Sequence, residues 1–183
     1  MNTSLHKSYR AEFVKLVAAA GTPVRFTSRS VTSIARSGTT RRCLVTITDH
    51  GYTPGAIVYI SGANETEFNT AAGVTVAQVV DADSFYVLLD YTSATSATGT
   101  VVCYADIWVR QATILGKKAE QTANTGNVYI GTKAAATKQA YTIASDTEAF
   151  LPAGREAVGP LVNLADWYVD AANNGDGIYV LYF

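Results

Sequence analysis

Leu44-Val45-Thr46-Ile47-Thr48, Asp49-His50-Gly51-Tyr52-Thr53-Pro54-Gly55 and Ala56-Ile57-Val58-Tyr59-Ile60 form one continuous stretch that sets the fold class. Its two outer blocks are β-branched or apolar, and the block between them collects Asp, Gly and Pro, the residues that punctuate turns. With the Ser61-Gly62-Ala63-Asn64 turn that follows, two strands and two turns fit in about twenty residues. Working outward, Val74 to Val80 and Ser84 to Leu89 flank the Asp81-Ala82-Asp83 corner, and Gly99 to Tyr104 closes a compact β-module. Beyond it, strands are expected at Ile107 to Leu115, Asn127 to Gly131, Ala140 to Ala144, Glu148 to Leu151 and Asp166 to Asp170. Asn173-Asn174-Gly175-Asp176-Gly177 reads as a hairpin turn into a last strand, Ile178 to Phe183.

Composition agrees. Val, Ile, Thr, Tyr, Phe and Trp supply 70 of the 183 residues and Leu only 10, a bias towards strands. Charged residues are 16% against about 25% in an average globular chain, so the chain is apolar enough to fold. No apolar run reaches the roughly 18 residues of a membrane helix, and the first residues hold no signal-like apolar core. The expectation is a soluble protein without a cleaved leader.

Charge is segregated. Residues 1–42 carry Lys7, Arg10, Lys15, Arg25, Arg29, Arg36, Arg41 and Arg42 against Glu12 alone, whereas residues 43–109 contain seven carboxylates and no Lys or Arg. These switches place compositional boundaries near 42 and 109. The basic stretch reads as a surface for an acidic protein partner, or for the acidic module itself, rather than for nucleic acid, since the pI is near 6.1.

Chemistry-bearing residues are sparse. His6 lies in a polar stretch and His50 beside Gly51 in a turn, which supplies neither a metal cluster nor a Ser-His-Asp site. Asp81 and Asp83 read as turn punctuation ahead of a cation site. Gly126 to Lys133 approaches a phosphate-binding loop, but Thr132 and Lys133 stand in the wrong order and Val128-Tyr129-Ile130 is a strand pattern. Cys43 and Cys103 read as two buried thiols. The expectation is therefore no enzyme, no catalytic residue, no cofactor and no metal. Trp108, Trp167 and Tyr168 are candidates for a carbohydrate platform, with core packing the commoner role of such aromatics.

The start of the chain is ambiguous by periodicity, since Leu5, Tyr9, Phe13, Leu16 and Ala20 also fit a helix. Phe13-Val14-Lys15-Leu16-Val17-Ala18-Ala19-Ala20-Gly21-Thr22-Pro23-Val24 resembles the opening strands of small β-sandwich virion proteins of tailed bacteriophages. Ala123 to Gly131 and Asn163-Leu164-Ala165-Asp166-Trp167-Tyr168-Val169-Asp170 through Gly177 resemble that family's later pattern. Residues 44–104, with His50-Gly51-Tyr52 and Val79-Val80-Asp81-Ala82-Asp83-Ser84-Phe85, look like the small β-modules of phage tail and fibre proteins. The resemblance implies strands at the start of the chain and an all-β fold. That fold is a β-sandwich, with the jelly roll as one topology open to it, carrying a small inserted β-barrel-like module. The expected organisation is an arm at 1–10, a sandwich from 11–36 plus 107–183, and an inserted acidic module at 37–106. It further implies a structural virion protein, assembled in the host cytoplasm, that decorates and stabilises the outside of a phage head. Its partners would be the major capsid protein or other virion proteins and its own copies, as a trimer, with neither nucleic acid nor membrane. A tail, fibre or head-to-tail adaptor component, and a carbohydrate-binding sandwich, are the alternatives.

Overall fold

The computed structural model describes residues 11–36, 41–90, 94–109, 112–117, 124–132, 141–143, 148–151 and 162–182, with backbone alone at 11–13, 113, 141–143 and 148–151. The expected arm at 1–10, with His6, and Lys133 lie outside the described residues. The fold is all-β: among the described residues strands dominate, with 3-10 turns at Thr66–Phe68 and Leu164–Asp166. The chain divides into two compact units, Met1–Phe26 with Ile107–Phe183, and the continuous run Thr27–Asp106.

In the first unit β1 (Ala11–Leu16) and β2 (Val24–Arg25) precede the excursion into the second. The strands β3 (Arg29–Ser30), β4 (Ser33–Arg36), β5 (Arg42–Thr46), β6 (Ile57–Ala63), β7 (Val74–Asp81), β8 (Ser84–Leu88) and β9 (Gly99–Ala105) make up that second unit. The first then resumes with β10 (Trp108–Val109), β11 (Ala112–Gly116), β12 (Val128–Gly131) and β13 (Tyr141–Ile143). It finishes with β14 (Glu148–Leu151), β15 (Val162–Asn163), β16 (Tyr168–Ala171) and β17 (Gly177–Tyr182).

Two four-stranded antiparallel sheets, β1-β17-β11-β14 and β13-β12-β16-β2, carry the first unit, and β10 pairs with β15. Ile114, Ile178 and Val180 of one sheet and Val128, Ile130 and Val169 of the other are buried in a single cluster with Phe26 and Leu164. Two sheets over one core give a sandwich-like unit; the pairings do not by themselves make a jelly roll. The N-terminal ambiguity resolves to strand, with β1 in register against β17 from Ala11↔Tyr182 to Leu16↔Gly177.

The 173–177 turn is not a hairpin. β16 and β17 belong to different sheets, so the turn arches from one layer of the sandwich to the other. Asn-Gly chemistry marks a sharp reversal but does not say whether the flanking strands pair. The expected strand at 166–170 begins only at Tyr168, because Leu164–Asp166 is a 3-10 turn with Asn163 accepting the Ala165 N–H at its start.

The second unit is one seven-stranded sheet in the order β3-β9-β6-β7-β8-β5-β4. Its outer strands are separated in the chain only by Val31 and Thr32, whose N–H groups donate to Val101 and Thr46. Residues 29–36 therefore form one extended segment that serves β9 on one side and β5 on the other, and the sheet closes on itself. Closure removes the unpaired edges that invite association. Ile34, Val45, Val58, Ile60, Phe68, Val76, Phe85 and Val87 fill the interior.

This corrects the boundary expected at 36/37, because β3 and β4 pair with β9 and β5 and so belong to the second unit. The charge switch near 42 misplaced it. Arg29, Arg36, Arg41 and Arg42 lie in the same unit as the seven carboxylates, which leaves that unit at −3.

Candidate functional site

Each of those arginines is engaged at home. Arg29 donates to Asp49 O at 2.8 Å, and Arg36, almost fully buried, donates to Ala94 O and Asp90 O. Arg41 pairs with the Asp90 carboxylate, and Arg42 bonds Gln78 with its guanidinium 4.0 Å from the Tyr86 ring centre. Arg25, in the first unit, donates to Ala165 O and stacks over Tyr168. Four of the eight basic residues of the stretch, Arg29, Arg36, Arg41 and Arg42, are thus part of the acidic module and bond within it, whereas Arg25 bonds within the first unit.

His50 is a structural residue rather than an exposed turn residue. It is 3% exposed, its Nδ1 accepts the Tyr52 N–H at 2.9 Å, and its Nε2 lies 3.1 Å from Asp81 O. Since Nδ1 is the acceptor, the proton sits on Nε2 and donates to Asp81 O. The ring also meets Phe85 edge-on at 4.9 Å and stacks on Tyr52. A shallow, open concavity of about 460 Å³ lies over this knot, lined by Asp49, Gly51, Tyr52, Val79, Asp81 and Ala82 with His50. On its rim the Asp81 carboxylate accepts from Asp83 N–H and the Ser84 hydroxyl, and next to it the Asp83 carboxylate accepts from Asp49 N–H. Those bonds, the Ser84 hydroxyl first, hold the Asp81 carboxyl below its usual range. Among the described residues no group of three His, Cys, Asp or Glu side chains is placed to hold a metal ion.

Cys43 and Cys103 are free and fully buried on β5 and β9, which are not neighbouring strands in the sheet order. Burial pushes the Cys103 thiol up from 9.0 to about 12, against smaller opposing pulls from the Tyr52 hydroxyl and Arg29. Burial raises Cys43 as well, opposed by Arg36. Neither thiol is a nucleophile near neutral pH. Linkage fixes the sign of the consequence: the unfolded thiol releases its proton near 9.0 and the folded one only near 12. Stability from this group is complete below 9.0 and is lost progressively as pH rises towards 12. Denaturant midpoints measured across that range are expected to fall, and to fall less steeply in Cys103→Ala. Equal slopes would rule the thiol out as the cause.

The candidate carbohydrate aromatics are not gathered into one platform. Trp167 packs on Phe26 with ring centres 6.5 Å apart, Tyr168 lies under Arg25, and Trp108 on β10 is 58% exposed. Gly126 to Lys133 is a strand at Val128–Gly131, with Ile130 buried.

The surface best suited to a partner lies on the sandwich. On a solvated antiparallel sheet outward positions alternate as polar residues, but β17 is Gly-Ile-Tyr-Val-Leu-Tyr and has apolar or aromatic side chains on both faces. Ile178 and Val180 point into the core, so Tyr179 and Leu181 point out. Val14 and Leu115 are both paired with Tyr179, and Leu16 follows Val14 on the same face. Val14 is 41% and Leu16 50% exposed. Val14, Leu16, Leu115, Tyr179 and Leu181 thereby place apolar or aromatic side chains on the outer face of three neighbouring strands, centred on the Val14-Tyr179-Leu115 row, while the next row sets positions Glu12 and Thr113 on either side of Leu181. The sequence signal is the unbroken apolar and aromatic run 178–183, which has no polar residue at either set of alternate positions.

No protein-family model matches the chain, and no curated protein matches it.

Proposed function

We propose that the chain is a structural virion protein that acts by adhesion, most simply as a decoration subunit on the outside of a phage head. The observation that carries this reading is the outward apolar face built by Val14, Leu16, Leu115, Tyr179 and Leu181. Removing apolar surface from water is worth about 25 cal/mol per Å², and exposed apolar patches of this kind mark interaction sites. A subunit that binds only the assembled shell stabilises it by mass action. The resemblance of residues 13–24 and 163–177 to phage sandwich proteins supports the same reading, with the major capsid protein and further copies, as a trimer, for partners.

The test is quantitative mass spectrometry of purified particles, together with Leu16→Glu. The variant is expected to melt as the wild type does, because position 16 is half-exposed, and to be lost from particles. Many copies per particle would support decoration. A few copies would move the assignment to a tail, fibre or adaptor component, and absence from particles or normal incorporation of the variant would overturn the proposal.

A further inference from the structure

The arch at 173–177 brings together two chemically labile dipeptides, the one Asn-Gly and the one Asp-Gly of the sequence, at Asn174-Gly175 and Asp176-Gly177. Such a pair cyclises readily because glycine has no side chain to shield its nitrogen and leaves the backbone free to rotate. In the arch both halves of that reaction are held. Gly175, at φ +81°, donates its N–H to Val17 O at 2.8 Å, and the Asn174 Oδ1 accepts the Ala20 N–H at 2.8 Å. The glycine nitrogen thus keeps its proton on Val17 while the asparagine side chain is tied to the 19–22 turn. Lys117 Nζ holds the Gly175 carbonyl as well, at 2.8 Å. Asp176-Gly177 is sealed more fully: both residues are buried, the carboxylate accepts the Thr125 and Gly126 N–H groups, and the Gly177 N–H donates to Asn124 Oδ1. Asn174 and Gly175 are exposed, so water reaches them and hydrogen bonds rather than burial stand between the pair and reaction.

We propose that Asn174 is a self-modifying site, converted through a succinimide to aspartate and isoaspartate, and that the arch holds the conversion off until it opens. Gly175 N attacks Asn174 Cγ, the Cγ–Nδ2 bond breaks, and the side-chain nitrogen leaves as ammonia with the proton from Gly175 N. Water then adds to one ring carbonyl or the other, giving aspartate or isoaspartate. Either product exchanges a neutral amide for a carboxylate in a stretch that already holds Asp170 and Asp176. Isoaspartate also inserts a methylene into the backbone between β16 and β17, which lie in different sheets, so the added length falls on the link between the two layers. Where opening and closing outpace the chemistry, the native rate is the open fraction times the rate in an unstructured chain. Two hydrogen bonds to break, each worth about fivefold, set the retardation at about thirtyfold or more.

The test incubates the full chain, native and in denaturing urea, in one mildly alkaline buffer, and follows Asn174 by peptide mass spectrometry for loss of the amide and for isoaspartate. Conversion in urea is expected, with the native protein slower by about thirtyfold or more. Ala20→Pro probes the arch itself. Ala20 is the second residue of a turn closed by Thr22 N–H on Ala19 O with Gly21 at φ +77°, a position that suits proline, and proline lacks the N–H that holds Asn174. The variant is expected to convert about fivefold faster than wild type when native, and at the same rate in urea. Should Ala20→Pro fail to fold, wild type in sub-denaturing urea replaces it, with conversion expected to rise before the tryptophan fluorescence transition begins. Equal rates in native and denatured chain, or no conversion in urea, would overturn the proposal. So would a native rate that Ala20→Pro leaves unchanged or, in the replacement experiment, one that rises only with global unfolding.

Discussion

Gly62→Ala is expected to destabilise the 27–106 unit by about 3–5 kcal/mol, close to the whole stability of a small domain. Gly62 sits in β6 where the register with β9 shifts between Ser61 and Ala63, and its φ is +86°. An L-residue held in that region costs about 1–2 kcal/mol on its own. The added methyl would also lie 2.2 Å from Thr100 O and 3.2 Å from Thr100 C. Those are backbone atoms of β9, so relief requires moving a strand of a closed sheet rather than rotating a side chain. Both cysteines lie in this unit, so thiol labelling in rising urea reports its opening. The labelling midpoint should fall sharply in the variant, and an unchanged midpoint would mean that the bulge can relax.

Asp176→Ala should cost the sandwich about 3 kcal/mol. Asp176 is 3% exposed, and its two carboxylate oxygens accept the N–H groups of Thr125 and Gly126, each at 2.9 Å. Beside it Asn124, also buried, bonds both backbone groups of Gly177 at 2.8 Å, and Lys117 Nζ donates to Gly175 O. Alanine at 176 strands two amides among groups that are already committed. Trp108 and Trp167 are the chain's two tryptophans and both lie in this unit, which makes tryptophan fluorescence the readout. Asp166→Ala, at an exposed carboxylate of the 3-10 turn, is the control and should stay within about 0.5 kcal/mol. Equal midpoints for the two variants would refute the role given to Asp176.

The strands that could be read in advance were those whose side chains repeat a simple pattern between clear turns. Val74 to Val80, Ser84 to Leu89 and Gly99 to Tyr104 each coincide closely with an observed strand, while Leu44 to Thr48 is offset by two residues from β5, Arg42–Thr46. Residues 29–36 were not assigned to the module, because Arg-Ser-Val-Thr-Ser-Ile-Ala-Arg is polar at its ends and only Ile34 and Arg36 are buried. Its place is set by backbone pairing to β5 and β9, which side-chain composition does not encode. Likewise the charge switch at 42 is real in sequence but joins partners in space. The turn position of His50 is legible in the sequence, but its burial is not, because a histidine beside glycine gives no sign that Phe85, some thirty-five residues later, packs on it.

The closed sheet also has a timetable. Segment 29–36 finds β5 within some ten residues of chain, yet its other partner, Cys103 opposite Arg29, is about 74 residues further on. At a ribosomal pace of about 5–20 residues per second, this segment waits roughly 4–15 s for Cys103 to be made. During that interval the nascent unit has an open flank, and its Arg29 to Val31 backbone is free to be captured by any extended chain nearby. Slowing translation between codons 46 and 103 would lengthen the wait, so the yield of correctly closed protein depends on elongation rate as well as on the stability of the finished fold.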